Sequence, residues 1–188
     1  DDTSATYGFC AQLSGNYTIN ASGSGSSNFK SFTKAVTALY NCGIVGPVTF
    51  TVSAGTYVEQ GSFPGLIPGA SKTNTVTFDG VNATQCKISW NTTSSDPRHV
   101  VQFVGVKHLR FLNIGIENTG ATYGWGISMK VNGSQGCDSM LIKGCIIDVN
   151  QNSTSSNFAG IVISNSNTSV STAGQNANFT KIDSNTVN

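Results

Sequence analysis

The sequence predicts an all-β chain wound as a right-handed parallel β-helix, a solenoid of about five turns, with one N-terminal amphipathic capping helix. Three observations lead to that fold class. Ser, Thr, Asn and Gly crowd the 188-residue chain and Leu is scarce, while Val, Ile, Thr and Phe are plentiful. Such a composition favours strands and turns, because β-branched side chains fit a pleated surface and Asn and Gly accept positive φ at bends. Strand-like segments begin near 48, 75, 100, 126 and 160, in steps of 27, 25, 26 and 34 residues, and a step in the twenties is the mark of stacked repeats. Only one segment reads convincingly as a helix.

Taken in order, residues 1–27 form a polar N-terminal segment that includes the loop Gly23-Ser24-Gly25-Ser26-Ser27. Its Tyr7, Phe9 and Tyr17 suggest that it docks on a neighbour. The helix follows from about Asn28 to Asn41, within a unit of 28–43. Phe29, Phe32, Val36, Leu39 and Tyr40 fall on one stripe, and Gly43 stands where a helix C-terminus favours glycine. From 44 to 188 the period changes. Val48-Thr49-Phe50-Thr51-Val52 alternates and turns at Ala54-Gly55. Related strands are expected at Thr75–Phe78, Val100–Val104, Gly126–Val131 and Gly160–Ser164.

A second series runs Lys87–Trp90, Leu109–Ile116, Leu141–Val149 and Phe179–Val187. Here Leu109, Ile142 and Ile182 can be overlaid, as can Ile114, Ile147 and Val187. Each turn then holds at least two strands joined by Asn/Gly/Ser-rich corners. Leucine-rich repeats are excluded by the Leu spacing, and propeller blades need longer repeats. The helix is placed to cover one open end of the coil, whose strand edges would otherwise template aggregation. The segment Phe179–Asn188 reads as a strand interrupted mid-turn, so either the chain continues or its last turn stacks on a partner.

Charged residues are 10% of the chain and the net charge is +1. That excludes binding of nucleic acid by bulk electrostatics. No apolar run is long enough to insert in a membrane as a helix, and 38% hydrophobic residues with ten Phe argue against disorder. The five cysteines include no C-x-x-C pair and only two His accompany them, which argues against zinc. Cys10 and Cys42 both lie near the expected cap and are the proposed disulfide; the alternative is that all five are buried as small apolar side chains. Glycosylation sequons stand at Asn16, Asn20, Asn82, Asn91, Asn132, Asn152, Asn167 and Asn178. The low-charge, hydroxyl-rich surface suits an extracellular or cell-surface protein. The polar start Asp1-Asp2-Thr3-Ser4 makes it a mature or trimmed product if it is exported.

The run from Asn28 through Ala35-Val36 and Leu39 to Gly55-Thr56-Tyr57-Val58-Glu59 resembles the start of pectin-lyase-like parallel β-helix proteins, where a cap helix leads into a strand ending in a G-x-Y-x-E-type turn. Gly46-Pro47-Val48-Thr49-Phe50, followed by Pro68-Gly69-Ala70 and Thr75-Val76-Thr77-Phe78, is similar to β-helix regions of large secreted bacterial surface proteins. The resemblance covers about residues 15–188. It implies the fold more than the function, since that fold hosts lyases, hydrolases, esterases, adhesins and structural fibres.

Catalytic kits of the resembling families are incomplete here. The polygalacturonase set N-T-D, D-D, G-H-G and R-I-K is absent, and the only Asp pair is Asp1-Asp2. Glycoside hydrolysis needs two carboxylates across one bond, and the interior acids Glu59, Asp79, Asp96, Glu117, Asp138, Asp148 and Asp183 are never adjacent. The methylesterase-like Gly55, Tyr57 and Glu59 lack the companion D-F-I-F-G, so they read as a structural turn. A lyase needs a base and a group that neutralises a uronate carboxylate. Arg98-His99 and Lys107-His108 with Arg110 are the nearest cluster, with His108 as base, Arg110 as clamp and Lys107 beside them; solvated corner side chains are the competing reading. No acidic cluster supports calcium, and no cofactor or metal is expected. Trp90, Tyr123 and Trp125 fall near corners and could stack on sugars or pack beside the coil.

The function expected from these features is a non-enzymatic extracellular β-helix. It would be part of a surface adhesin or a subunit of a fibre or filament assembling through its open end. Its partners would be an extracellular glycan or other copies of itself. The alternatives are a lyase-type polysaccharide-active enzyme and a carbohydrate-binding module.

Overall fold

A computed structural model describes residues 10–150, 152–174 and 177–188 of the chain. Tyr7 and Phe9 lie outside the described residues. The N-terminal part contains strands β1 (Leu13–Ile19) and β2 (Asn28–Phe29) and helix α1 (Phe32–Cys42). Then come β3 (Ile44–Val52), β4 (Gly55–Val58), β5 (Gly61–Phe63), β6 (Val76–Asp79), β7 (Cys86–Trp90) and β8 (His99–Val104). These are followed by β9 (Leu109–Leu112), β10 (Gly115–Asn118), β11 (Gly124–Lys130), β12 (Leu141–Lys143) and β13 (Ile146–Asp148). The last are β14 (Phe158–Ile163), β15 (Lys181–Asp183) and β16 (Thr186–Val187).

The chain is mostly β and forms three separate parallel sheets. The first is ordered β15-β12-β9-β6-β3-β1-β2, the second β16-β13-β10-β7-β4 and the third β14-β11-β8-β5. From β3 onward the chain passes through first, second and third sheet in unvarying rotation. Alternation of apolar and polar residues puts one face of strands such as β3, β6 and β9 in the core, whereas β8 and β11 are buried on both faces. In the first sheet Tyr17, Phe50, Phe78, Phe111, Ile142 and Ile182 stand side by side along the register. In the second the row is Tyr57, Ile88, Ile116, Ile147 and Val187. In the third it is Phe63, Phe103, Met129 and Ile163. Phe63 meets Phe78 at 5.4 Å and Phe103 meets Phe111 at 5.6 Å between ring centroids, so the first and third sheets share one aromatic core.

Several expectations need correction. The segments starting at 48 and 75 belong to the first sheet, whereas those at 100, 126 and 160 belong to the third. Period-two alternation marks which face is buried and carries no label for the sheet. Each pass holds three strands, within the expected two or more; the short second-sheet strands follow their first-sheet neighbours so closely that the two read as one run. Ile142 stands beside Phe111, not Leu109, and Ile147 beside Ile116, not Ile114. A slip of two residues keeps every side chain on its face and so leaves no mark in the pattern.

The N-terminal boundaries also shift. Residues 13–19 are a strand inside the segment expected to be polar, with Leu13 and Ile19 buried on it. The helix begins at Phe32 rather than near Asn28. Ser31 is its N-cap, accepting a hydrogen bond from the Lys34 backbone N–H, while Phe29 packs on Tyr17 and Phe50 instead. Gly43 at φ 69 closes the helix, its N–H bonded to the Leu39 carbonyl. Phe32 enters the core against Tyr57 and Phe78 at 5.2 and 6.0 Å. Cys10 and Cys42 form a disulfide with Cα atoms 5.4 Å apart, and Cys86, Cys137 and Cys145 are free and buried.

Two corners recur. Between first and second sheet, two residues connect β3 to β4, β9 to β10, β12 to β13 and β15 to β16, with Asn113, Gly144 and Ser184 at positive φ. Where the chain enters the first sheet, His108, Ser139 and Phe179 take φ of 58, 54 and 55.

Candidate functional site

The second of these corners builds the candidate site. The His108 carbonyl accepts from the Val76 N–H at 3.1 Å, and the Ser139 N–H donates to the Asn178 carbonyl at 2.8 Å. Successive corners therefore stack, and their side chains gather on one side. A cleft of ≈ 460 Å³ there is lined by Lys72, Thr75, His108, Arg110, Ser139 and Phe179. Arg110 stands on β9 between Thr77 of β6 and Leu141 of β12. Phe179 is 92% exposed. The lining holds a guanidinium, a lysine side chain, an imidazole, two hydroxyls and an open ring face, and no carboxylate.

The structure thus brings His108 and Arg110 together and adds Lys72, Thr75, Ser139 and Phe179, which the sequence reading missed. Lys107 turns to Asp138, with its ammonium 3.0 Å from the carboxylate. It lines a neighbouring hollow with Pro68, Gly69 and Gln135, and His108 borders both. Among the described residues neither Arg110 nor Lys72 makes an ion pair.

Apart from Asp96, the carboxylates of the described residues are engaged in structure. Glu59 accepts from the Phe32 and Thr33 backbone N–H groups at 2.8 Å each. With the Tyr57 hydroxyl donating to the Ile19 carbonyl at 2.8 Å, the Gly55-Tyr57-Glu59 turn ties α1, β1 and β4 together. Asp79 accepts from the Val81 N–H and Asn113 Nδ2, and Glu117 accepts from Ser89 and pairs with Lys87. Asp148 accepts from Asn188 Nδ2, and Asp183 is held below the usual carboxylate range by hydrogen bonds from Lys181 and then Ser184, with Lys143 also facing it. Among the described residues no group of three or more His, Cys, Asp or Glu side chains comes together.

The aromatic candidates sit elsewhere and differently. Trp125 is 0% exposed, and its indole N–H donates to the Ser156 carbonyl at 3.1 Å. It has no face to offer a sugar. Trp90 packs half-buried against the core. The Arg98 guanidinium lies 4.9 Å from the Tyr123 ring centroid and 5.1 Å from that of Trp125, and donates to Ser95 and Asn157. This is an internal clamp. Next to it His99 is buried, and that burial lowers its pKa to about 4 despite the opposing pull of Asp96.

Of the sequon asparagines, Asn16, Asn82, Asn91, Asn132, Asn152 and Asn178 are exposed. Asn20 is half-buried, and Asn167 accepts from Gln102 Nε2 and Lys130 Nζ. A second, apolar cleft of ≈ 310 Å³ opens between α1 and β5, where Phe32, Val36, Tyr40 and Phe63 meet. Comparison of the chain with protein-family models, with curated proteins and with solved structures finds no match.

Proposed function

We infer that the three sheets are the faces of a right-handed parallel β-helix of about five turns, closed at its N-terminal end by α1, and that the chain acts in an extracellular or cell-surface protein by binding rather than by catalysis. It is part of a surface adhesin, or a subunit of a fibre assembling through its open end. The unvarying rotation through three parallel sheets and their common core supports the fold reading, and the right-handed crossover rule for parallel strands supports its hand.

One observation carries the functional reading. The core rows of all three sheets end together on exposed apolar side chains: Ile182 at 41%, Val187 at 52% and Ile163 at 48%. The outer edges of β14, β15 and β16 carry no further strand among the described residues. Edges and apolar rows of this kind favour another layer of polypeptide, from more of the chain or from another copy. The structural engagement of every described carboxylate but Asp96 supports a non-catalytic role, and the Cys10–Cys42 disulfide fits an oxidising compartment.

Light scattering over a range of concentrations tests assembly. The mass is expected to rise with concentration and to fall back in Val187→Asp; a constant monomer would remove the fibre arm. A second reading rests on His108 and Arg110 sharing one cleft: a lyase with His108 as base and Arg110 as carboxylate clamp. Release of unsaturated uronate ends, lost in His108→Ala, would establish that reading over the first.

A further inference from the structure

We propose that Asn82 is a site of N-linked glycosylation, accepting a hexose from a nucleotide-activated sugar. The assignment goes beyond the binding reading and does not rest on it.

The corner that carries Asn82 departs from the pattern of the fold. First-sheet strands pass to second-sheet strands through two residues at β3–β4, β9–β10, β12–β13 and β15–β16, but β6 passes to β7 through the six residues 80–85. The extra length holds the sequon Asn82-Ala83-Thr84. Its middle residue turns inward: Ala83 is buried, and its carbonyl lies so close to Gly115 that a side chain at 115 would strike it. The Asn82 carbonyl accepts from the Gln85 and Cys86 N–H groups at 3.1 and 3.0 Å, which closes the loop on itself. Asn82 and Thr84 are therefore held on the outside, both exposed, at a different corner from the Arg110 cleft.

The two outer side chains of the sequon are already joined. Asn82 Oδ1 accepts from the Thr84 backbone N–H at 2.9 Å and from the Thr84 hydroxyl at 2.8 Å. A backbone N–H can only donate, so the atom it meets is the carboxamide oxygen, and Nδ2 is left without a protein partner among the described residues. An amide nitrogen is a poor nucleophile until it begins to lose a proton. Two donors on the oxygen stabilise the negative charge that then develops there, which eases that loss. Nδ2 attacks the anomeric carbon, and the C–N bond forms as the C–O bond to the diphosphate breaks. The nucleotide diphosphate leaves with the bonding electrons, and the amide proton passes to a base of the transferase.

No other sequon has this pair of bonds among the described residues. Thr18 and Thr180 donate instead to Asn28 and to the Cys137 carbonyl. Asn132 Nδ2 is committed to the Pro64 carbonyl, and Asn167 Oδ1 to Gln102 and Lys130. At Asn20 only the Ser22 backbone N–H reaches the side chain.

A purified soluble N-glycosyltransferase with UDP-glucose, acting on the whole folded chain, tests this by peptide mapping in a mass spectrometer. One hexose is expected on Asn82, added about tenfold or more faster than at any other sequon. It should be lost in Asn82→Gln and in Thr84→Ala, and partly kept in Thr84→Ser. Circular dichroism of each variant should match the parent, since both side chains lie outside the core. A synthetic peptide of residues 79–87 carries the same sequon without the fold and is expected to react slower by about tenfold or more. The proposal is overturned if Asn82 gains no hexose, if another sequon reacts as fast, if folded Thr84→Ala is modified like the parent, or if the peptide is as good an acceptor. Each of those outcomes leaves the binding reading standing.

Discussion

The carboxylate of Glu59 closes the N-terminus of α1 by accepting the backbone N–H of Phe32, at 2.8 Å. The unpaired first-turn N–H groups of the helix and the positive end of its dipole are satisfied from the far side of β3 and β4. Ser31 supplies the local cap, so the helix start is held by the residue just before it and by one from the turn after β4.

Removing that carboxylate should loosen the cap. Glu59→Ala is expected to cost about 1–2 kcal/mol in urea denaturation. Glu59→Gln should cost less, since its carbonyl oxygen can still accept one hydrogen bond. Equal stability of both variants and the parent would show that the contact contributes nothing.

The His99 imidazole gives a pH signature. Its pKa is lowered to about 4 in the fold by burial, against 6.5 when free. Below pH 6.5 the unfolded chain takes up a proton that the folded chain refuses, so this contribution to stability falls as pH drops toward 4 and is level below that. The loss is about 3 kcal/mol across the window. Urea midpoints of the parent and His99→Gln, measured across that window, should converge as the pH falls; parallel curves would place His99 in contact with solvent.

Burial also sets the thiol chemistry. It pushes Cys86 up to about 12 and Cys145 up to about 11, and raises Cys137 as well. At about pH 8 a thiol-exchange reagent should find no reactive cysteine in the folded chain and three in denaturant. Rapid labelling without denaturant would contradict the core described above.

Phe78 is the centre of the aromatic core, with Phe32, Phe50, Phe63 and Phe111 around it. Phe78→Ala is expected to cost about 3–5 kcal/mol, whereas Phe179→Ala should change stability by less than about 1 kcal/mol. Thermal unfolding of the two variants checks the contrast.

What could be read from the sequence follows from what alternation encodes. Burial of Val48, Phe50 and Val52 is visible because apolar residues recur at period two. Which sheet a strand joins is decided by corner geometry, and that depends on backbone conformation at residues such as Asn113 and His108 rather than on hydrophobicity. The candidate site divides in the same way. His108 and Arg110 stand together in the chain and were legible as a pair. Lys72 and Phe179 reach them only through parallel register, which a slip of two residues disguises. For Trp125 the sequence leaves stacking and packing both open, because its cover comes from Ser156, on a loop that no local pattern assigns to it.

Links of two residues carry the chain from first to second sheet at β3–β4, β9–β10, β12–β13 and β15–β16, while β6 reaches β7 through the six residues 80–85. Length varies most on the return from third to first sheet, where Phe63 leads to Val76 and Ile163 to Lys181. Mutation can therefore lengthen, shorten or redecorate those loops while the aromatic rows keep their register. The cleft of Arg110 and Phe179 lies where those variable links rejoin the first sheet.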